Sequence, residues 1–333
     1  MTDSIGLPPR RLNHAGEERH VGIELEMAGL EPLQIVACIQ SVFGGHVERI
    51  SRFEFRVVDT TLGKFAVELD ASYLKSIGYK LEKKQRAENE AEPFIESLAT
   101  DIITAAAEQI VPWELASPPV PLSRLHEISQ LFDALRQAGA LGTRSSLVYA
   151  FGLHLNPELP ALDVNTILTY LRAFLCLFEW IAADDDTDLT RRLTSYINHF
   201  NKPYIQKVLD PHYRPDLYQF MADYMEANPT RNRTLDLLPL FAWLDEPFLR
   251  ANIEDPRVKG RPTLHYRLPN SDIDNPQWNL QQPWQEWLEV EKLANSPLIL
   301  RDMCVAYAEH LDKLLPDFDG AWLRAIDHWR RKL

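Results

Sequence analysis

Apolar and polar positions alternate with a period of two in several short segments of this chain, and recur at helical spacing in most of the rest. Val21–Met27, Phe53–Val58 and Phe65–Asp70 read as strands, the last two joined across "DTTLGK" in a hairpin. Leu33–Phe43 has helical periodicity and stops at the glycine pair Gly44 and Gly45. After the charged run "KLEKKQRAENEAEPF", a helix is expected from Pro93 to Gln109. "VPWELASPPVP" (Val111–Pro121) opens as a strand, and its prolines are expected to force the chain out of the sheet. Leu122–Ala138 predicts another helix, ended by Gly139, and Leu147–Asn156 another strand. From Asp163 the pattern is helical, interrupted by "RPTLHYRLPN" (Arg261–Asn270).

The first residues, with "LPPRR", predict an irregular arm over 1–20. No change of composition marks a linker, and strands far apart in sequence can share one sheet. The expectation is an α+β fold over 21–333: a single domain with a curved, mainly antiparallel sheet, helices packed on one side, and a helical C-terminal half.

What the strands carry on their polar faces is unusual. Residues two apart in a strand point the same way, so Glu24 and Glu26 share a face opposite Ile23 and Leu25. "VELDAS" repeats the spacing with Glu68 and Asp70, and "PWELAS" adds Glu114. In "FGLHLN", Gly152, His154 and Asn156 lie opposite Leu153 and Leu155; in "TLHYRL", His265 and Arg267 lie opposite Leu264, Tyr266 and Leu268. Any one of these is an ordinary solvated strand face. Together they supply oxygen ligands, imidazole and guanidinium, the ingredients for divalent cations that carry phosphate groups. Arg267 has the planar fork suited to a transferring phosphoryl group.

Composition narrows the choice. The 333 residues are 45% hydrophobic and 25% charged, with 35 Lys plus Arg against 48 Asp plus Glu, a net charge of −13. That balance repels a phosphate backbone, and no basic stripe interleaves with aromatics, so nucleic acid is not an expected partner. Cys38, Cys176 and Cys304 lie far apart in apolar helical surroundings, as buried thiols of a reducing compartment do. The N-terminus has no apolar signal-peptide core, and no uninterrupted apolar run reaches a membrane span, so a cytoplasmic protein without a membrane partner is expected. P-loop, dinucleotide-binding and nucleophile-elbow patterns are missing. "ADDDTD" spaces Asp184, Asp186 and Asp188 like a calcium loop, but Leu189 and Ser195 stand where that loop needs Gly and Glu.

Read in order, the segments resemble the amidoligase family, ATP-dependent carboxylate–amine ligases related in fold to glutamine synthetase and glutamate–cysteine ligase. The resemblance rests on "GIELE" for a G-x-E-x-E strand, "LDAS" for D-x-S with Asp70 and Ser72, and "ELASPP" for E-x-x-S-P-P with Glu114 and Ser117. "GLHLN" stands for G-x-H-x-H, and "HYRLPNSD" for a late E-x-R strand. It implies a glutamine-synthetase-like sheet and amide-bond formation through an acyl phosphate on a small amino acid or peptide. It implies ATP and Mg²⁺, with Mn²⁺ as an alternative, and a carboxylate and an amine as substrates. A homo-oligomer is in keeping with it. By the same resemblance Glu24, Glu26, Glu114 and His154 are metal ligands, with Asp70 close by. Arg267 steadies the phosphoryl group, while Asn156, Ser117, His265 and Arg233 belong to the nucleotide and substrate surroundings. Arg231, Arg191 and Arg192 are further basic residues of such segments. Two positions depart from the family: Asn156 replaces the second His of G-x-H-x-H, and His265 replaces the Glu of E-x-R. The rival readings are a metal-dependent phosphohydrolase or phosphotransferase, and a non-catalytic nucleotide-binding protein.

Overall fold

The computed structural model describes residues 5–69, 112–145, 151–184, 199–313 and 320–333. The Pro93–Gln109 helix, Asp70, Ser72, Arg191 and Arg192 lie outside these residues.

The first long element is β1 (His20–Met27), whose Val21, Ile23, Leu25 and Met27 are buried, while Gly22, Glu24 and Glu26 take the other face. Helix α1 (Pro32–Phe43) follows, with Pro32 at its first turn and a reciprocal cap between Glu31 and Gln34. It buries Ile35, Val36, Ile39 and Phe43, and Phe43 stacks on Phe65 with ring centres 5.2 Å apart. Gly45 then turns the chain at φ +87°; a Cβ there would meet the Val58 carbonyl at 2.4 Å, so only glycine fits. The turn delivers β2 (His46–Arg49), β3 (Glu54–Val58) and β4 (Phe65–Leu69), an antiparallel meander. β2 is absent from the pattern of the sequence because all four of its residues are exposed and nothing alternates.

β5 (Trp113–Ala116) pairs with both β4 and β1, and β6 (Val120–Pro121) returns to the beginning of β1. The prolines of "SPPVP" therefore interrupt the ladder without removing the chain from the sheet. Pro118 and Pro119 carry no N–H, and Ser117 fills the gap: its Oγ accepts the Ile23 N–H at 2.9 Å, and its own N–H reaches the Ile23 carbonyl at 2.8 Å. Helix α2 (His126–Ala138) ends at Gly139 in a left-handed cap. β7 (Leu153–Pro157) pairs with the other edge of β1.

The helical part comprises α3 (Val164–Asp184), α4 (Lys202–Leu209), α5 (Leu217–Ala227), α6 (Leu238–Leu244), α7 (Glu246–Asn252), α8 (Gln281–Ala294), α9 (Pro297–Leu311) and α10 (Ala321–Arg330). Two short strands within it, β8 (Leu235–Asp236) and β9 (His265–Tyr266), complete the sheet. The described residues form one mainly antiparallel nine-stranded sheet of order β2-β3-β4-β5-β1-β7-β9-β8, with β6 on β1, and ten helices. β8 has only two residues and falls in an apolar stretch that periodicity alone cannot separate from helix.

The buried face of the sheet and the helices share one continuous core. Tyr266 packs against Phe174 of α3 and Trp287 of α8. By length and composition Val164–Ala183 of α3 could cross a membrane, although no uninterrupted apolar run was expected; Asn165, Thr166 and Arg172 break the run without lowering its average far. Here 61% of its apolar window is buried within the protein, as in a core helix. The arm is anchored rather than loose. Arg19 is 1% exposed and donates to the carbonyls of Arg10 and Glu158 and to both oxygens of Glu291 on α8. Tyr170 and Trp287 donate to the same carboxylate. All three cysteines are buried and free, and Cys176 and Cys304, far apart in sequence, bring their sulfurs within 3.8 Å.

Candidate active site

The polar face of the sheet gathers its chemistry from strands that alternate regularly against the core. Cross-strand register places Glu54 opposite Glu68, Glu68 opposite Glu114, and Glu114 opposite Glu26. Four glutamates thus cross four adjacent strands in one row. Directly opposed like charges destabilise a sheet unless cations relieve them. Arg56 does so at one end, donating to Glu54 at 2.9 and 3.2 Å. At the other end Glu26 accepts the Gly152 N–H at 2.7 Å.

A second cluster begins one step along β1. Glu24 stands opposite His154 and beside Asn156. Its Oε2 lies 3.2 Å from His154 Nδ1, and its Oε1 accepts from Asn156 Nδ2 at 3.2 Å and, closely, from Arg261. Arg261 also donates to Asn156 Oδ1 at 3.2 Å, and His265 Nδ1 meets that same oxygen at 2.6 Å. Gly22 makes room for this: a Cβ there would crowd the Asn156 side chain at 3.3 Å. The His154 and His265 rings meet edge-on, with centres 5.1 Å apart. One ligand atom from each of Glu24, His154 and His265 lies within 4.8 Å of the others, and all three residues are buried.

Burial alone would raise the Glu24 carboxyl, but the neighbouring imidazoles of His265 and His154 and the Arg261 guanidinium hold it well below the usual carboxylate range. Burial, then Arg267, pushes His265 well below its ordinary value, toward the neutral imidazole. Asp236 lies opposite His265 on β8. Burial raises its carboxyl to about 6 against the pull of Arg267, the Leu238 N–H, Arg231 and Arg261, into a range where proton exchange near neutrality is feasible. Arg231, half-buried, is lowered by burial and by the like charges of Arg267 and Arg257. One side of the face is therefore carboxylate-rich and the other guanidinium-rich, which suits a metal–phosphate complex.

Glu24, Glu26, Glu114, His154, Asn156, His265 and Arg267, all singled out from sequence, belong to this face. Asp70 lies outside the described residues. Ser117 serves the β1–β5 joint described above. Arg233 points elsewhere: it donates to the carbonyls of His199 and Ala227 and lies over the Phe200 ring. Arg261, Asp236 and the place of Glu54 in the row carry no signal in the sequence pattern. Arg261 opens "RPTLHY" four residues before His265, outside any alternation, and the row depends on strand register, which a single sequence does not give.

The oxygen-rich row and the imidazole-bearing cluster fit divalent metals by donor chemistry, and the buried Nε2 of His265 has no hydrogen-bond partner among the described residues. Comparison with curated proteins and with solved structures returned no match. A family described as "Putative amidoligase enzyme" matches residues 17–289. That span runs from the anchored arm through every strand of the sheet to α8, and so takes in the whole polar face: the chain belongs to the amidoligase family.

Proposed function

We propose that the protein is an ATP- and Mg²⁺-dependent carboxylate–amine ligase that activates a carboxylate of a small amino acid or peptide as an acyl phosphate. The observation that carries this reading is the row Glu54–Glu68–Glu114–Glu26, running into the Glu24–His154–His265 cluster, with Arg261 on Glu24 and Arg267 near His265. Glu26, Glu68 and Glu114, with Glu24 and His154 beside them, would hold divalent metal. When bound, the metal supplies charge neutralisation on the nucleotide phosphates.

Arg267 stabilises the charge of the phosphoryl group as the substrate carboxylate oxygen bonds to the γ-phosphorus and the bond to ADP breaks. An amine then attacks the acyl carbon, phosphate leaves, and the amine gives up a proton. The strands hold these groups on a rigid sheet, so their positions are fixed before substrate arrives.

Thermal unfolding tests the reading directly. A nonhydrolysable ATP analogue with Mg²⁺, at roughly 100 times its Kd, should stabilise the protein by about 2.7 kcal/mol. EDTA should abolish that shift, and so should Glu26→Gln. Phosphate release should then require both an acid and an amine. Release without an amine would favour a phosphohydrolase, and binding without release a nucleotide-binding protein. No shift under any condition would remove the nucleotide from this face.

A further inference from the structure

We propose that His265 and Asn156, together with Glu24 and His154, make one metal position on this face selective for a borderline transition metal such as Zn²⁺ over Mg²⁺. The inference deepens the metal part of the reading above and rests on it for the place of the metal, not for amide chemistry.

Hydrogen bonding fixes the tautomer of His265. Arg261 can only donate and the Glu24 carboxylate can only accept. Asn156 touches both, so its Nδ2 faces Glu24 and its Oδ1 faces Arg261, at 3.2 Å each. The same Oδ1 lies 2.6 Å from His265 Nδ1, which must therefore carry the proton. In a neutral imidazole the other nitrogen then bears a lone pair. His265 is fully buried, and its Nε2 has no hydrogen-bond donor among the described residues. A buried acceptor left without a partner is destabilising, so the chain keeps this lone pair at a disadvantage unless a cation meets it.

His154 is oriented through the same nitrogen. Its Nδ1 faces Glu24 Oε2 at 3.2 Å, the carboxylate–histidine arrangement that orients metal-ligating imidazoles, while its Nε2 lies 3.8 Å from Glu26 Oε1. Both rings are thus held through Nδ1, and each residue of the trio offers a ligand atom within 4.8 Å of the others. Imidazole nitrogens favour Zn²⁺, Co²⁺ and their neighbours, whereas Mg²⁺ prefers oxygen donors and retains its water. The two positions at which the sequence departs from the family motif are the two that touch, Asn156 and His265. They act as a single change: one residue supplies the ligand and the other sets its proton.

Co²⁺ is the probe of choice, because its visible absorption reports nitrogen ligation without any turnover. Metal-stripped full-length protein should bind Co²⁺ with ligand-field bands, lose it to Zn²⁺, and retain it against a hundredfold excess of Mg²⁺. Asn156→Leu should weaken Co²⁺ binding about 10- to 100-fold, with circular dichroism confirming the fold. His265→Glu should keep a metal site but let Mg²⁺ compete. Displacement of Co²⁺ from the wild type by comparable Mg²⁺, or a His265→Gln protein with unchanged bands and affinity, would overturn the proposal. If Mg²⁺–nucleotide binding survives such a result, only this inference fails. If metal and nucleotide binding are both absent, the ligase reading fails with it.

Discussion

Asp236 shows how burial sets chemistry at a single residue. Its carboxyl is 1% exposed, and its value rises from 3.8 to about 6. The folded state therefore holds that proton more tightly than the unfolded chain. The contribution of Asp236 to stability is complete below about pH 4, erodes as pH rises to about 6, and is flat beyond. Two units at about 1.4 kcal/mol each amount to roughly 3 kcal/mol. Asp236→Asn, which retains the acceptor for the Leu238 N–H, should flatten the pH dependence of urea unfolding across that window. Parallel profiles for variant and wild type would show that other groups set the slope. Glu24, Glu26, His154 and His265 were legible in sequence because alternation sets them against buried apolar neighbours. Asp236 and Arg261 were not, since their roles come from contacts among strands and loops that no period records. Arg233 shows the limit of such a reading: a guanidinium heading an apolar segment also serves nearby carbonyls.

Among the elements, the joint between β1 and the β5–β6 segment is the most dependent on one side chain. Ser117→Ala leaves the Ile23 N–H without its Oγ partner where two prolines already thin the ladder, and should cost about 1–3 kcal/mol. Denaturant unfolding measures the loss, and faster hydrogen exchange at the Ile23 amide would locate it; an unchanged exchange rate would mean that water replaces the hydroxyl. Long apolar periodicity made β1, α1, α2 and the later helices readable from sequence. The short strands β2 and β8 escaped because one is wholly exposed and the other has two residues. The proline segment was read only halfway: the absence of N–H groups was visible, but their replacement by a serine hydroxyl depends on a partner strand.

At the scale of the molecule, Arg19 and Glu291 tie the entry of the central strand to a helix near the far end of the chain. The pair is buried, and Tyr170 and Trp287 saturate the carboxylate. Arg19→Met should cost about 3–5 kcal/mol by leaving the buried Glu291 without its counter-ion. The double variant Arg19→Met/Glu291→Met should recover much of that in calorimetry, and a double variant as unstable as the single would point to packing instead of charge. The sheet order carries a consequence for synthesis. Of the described strands of this sheet β1 is made before its partners, yet it lies in the middle, and its neighbours β5 and β7 begin only at Trp113 and Leu153. Its hydrophobic side and its two glutamates therefore emerge long before their partners, and pairing must wait until Trp113 opens β5, far along the chain from Met27. Contacts of such long range make folding slow and leave an unpaired strand exposed meanwhile. The nascent chain is thus most open to capture by a chaperone, or by another copy of itself, while the strand that will carry the candidate site is still alone.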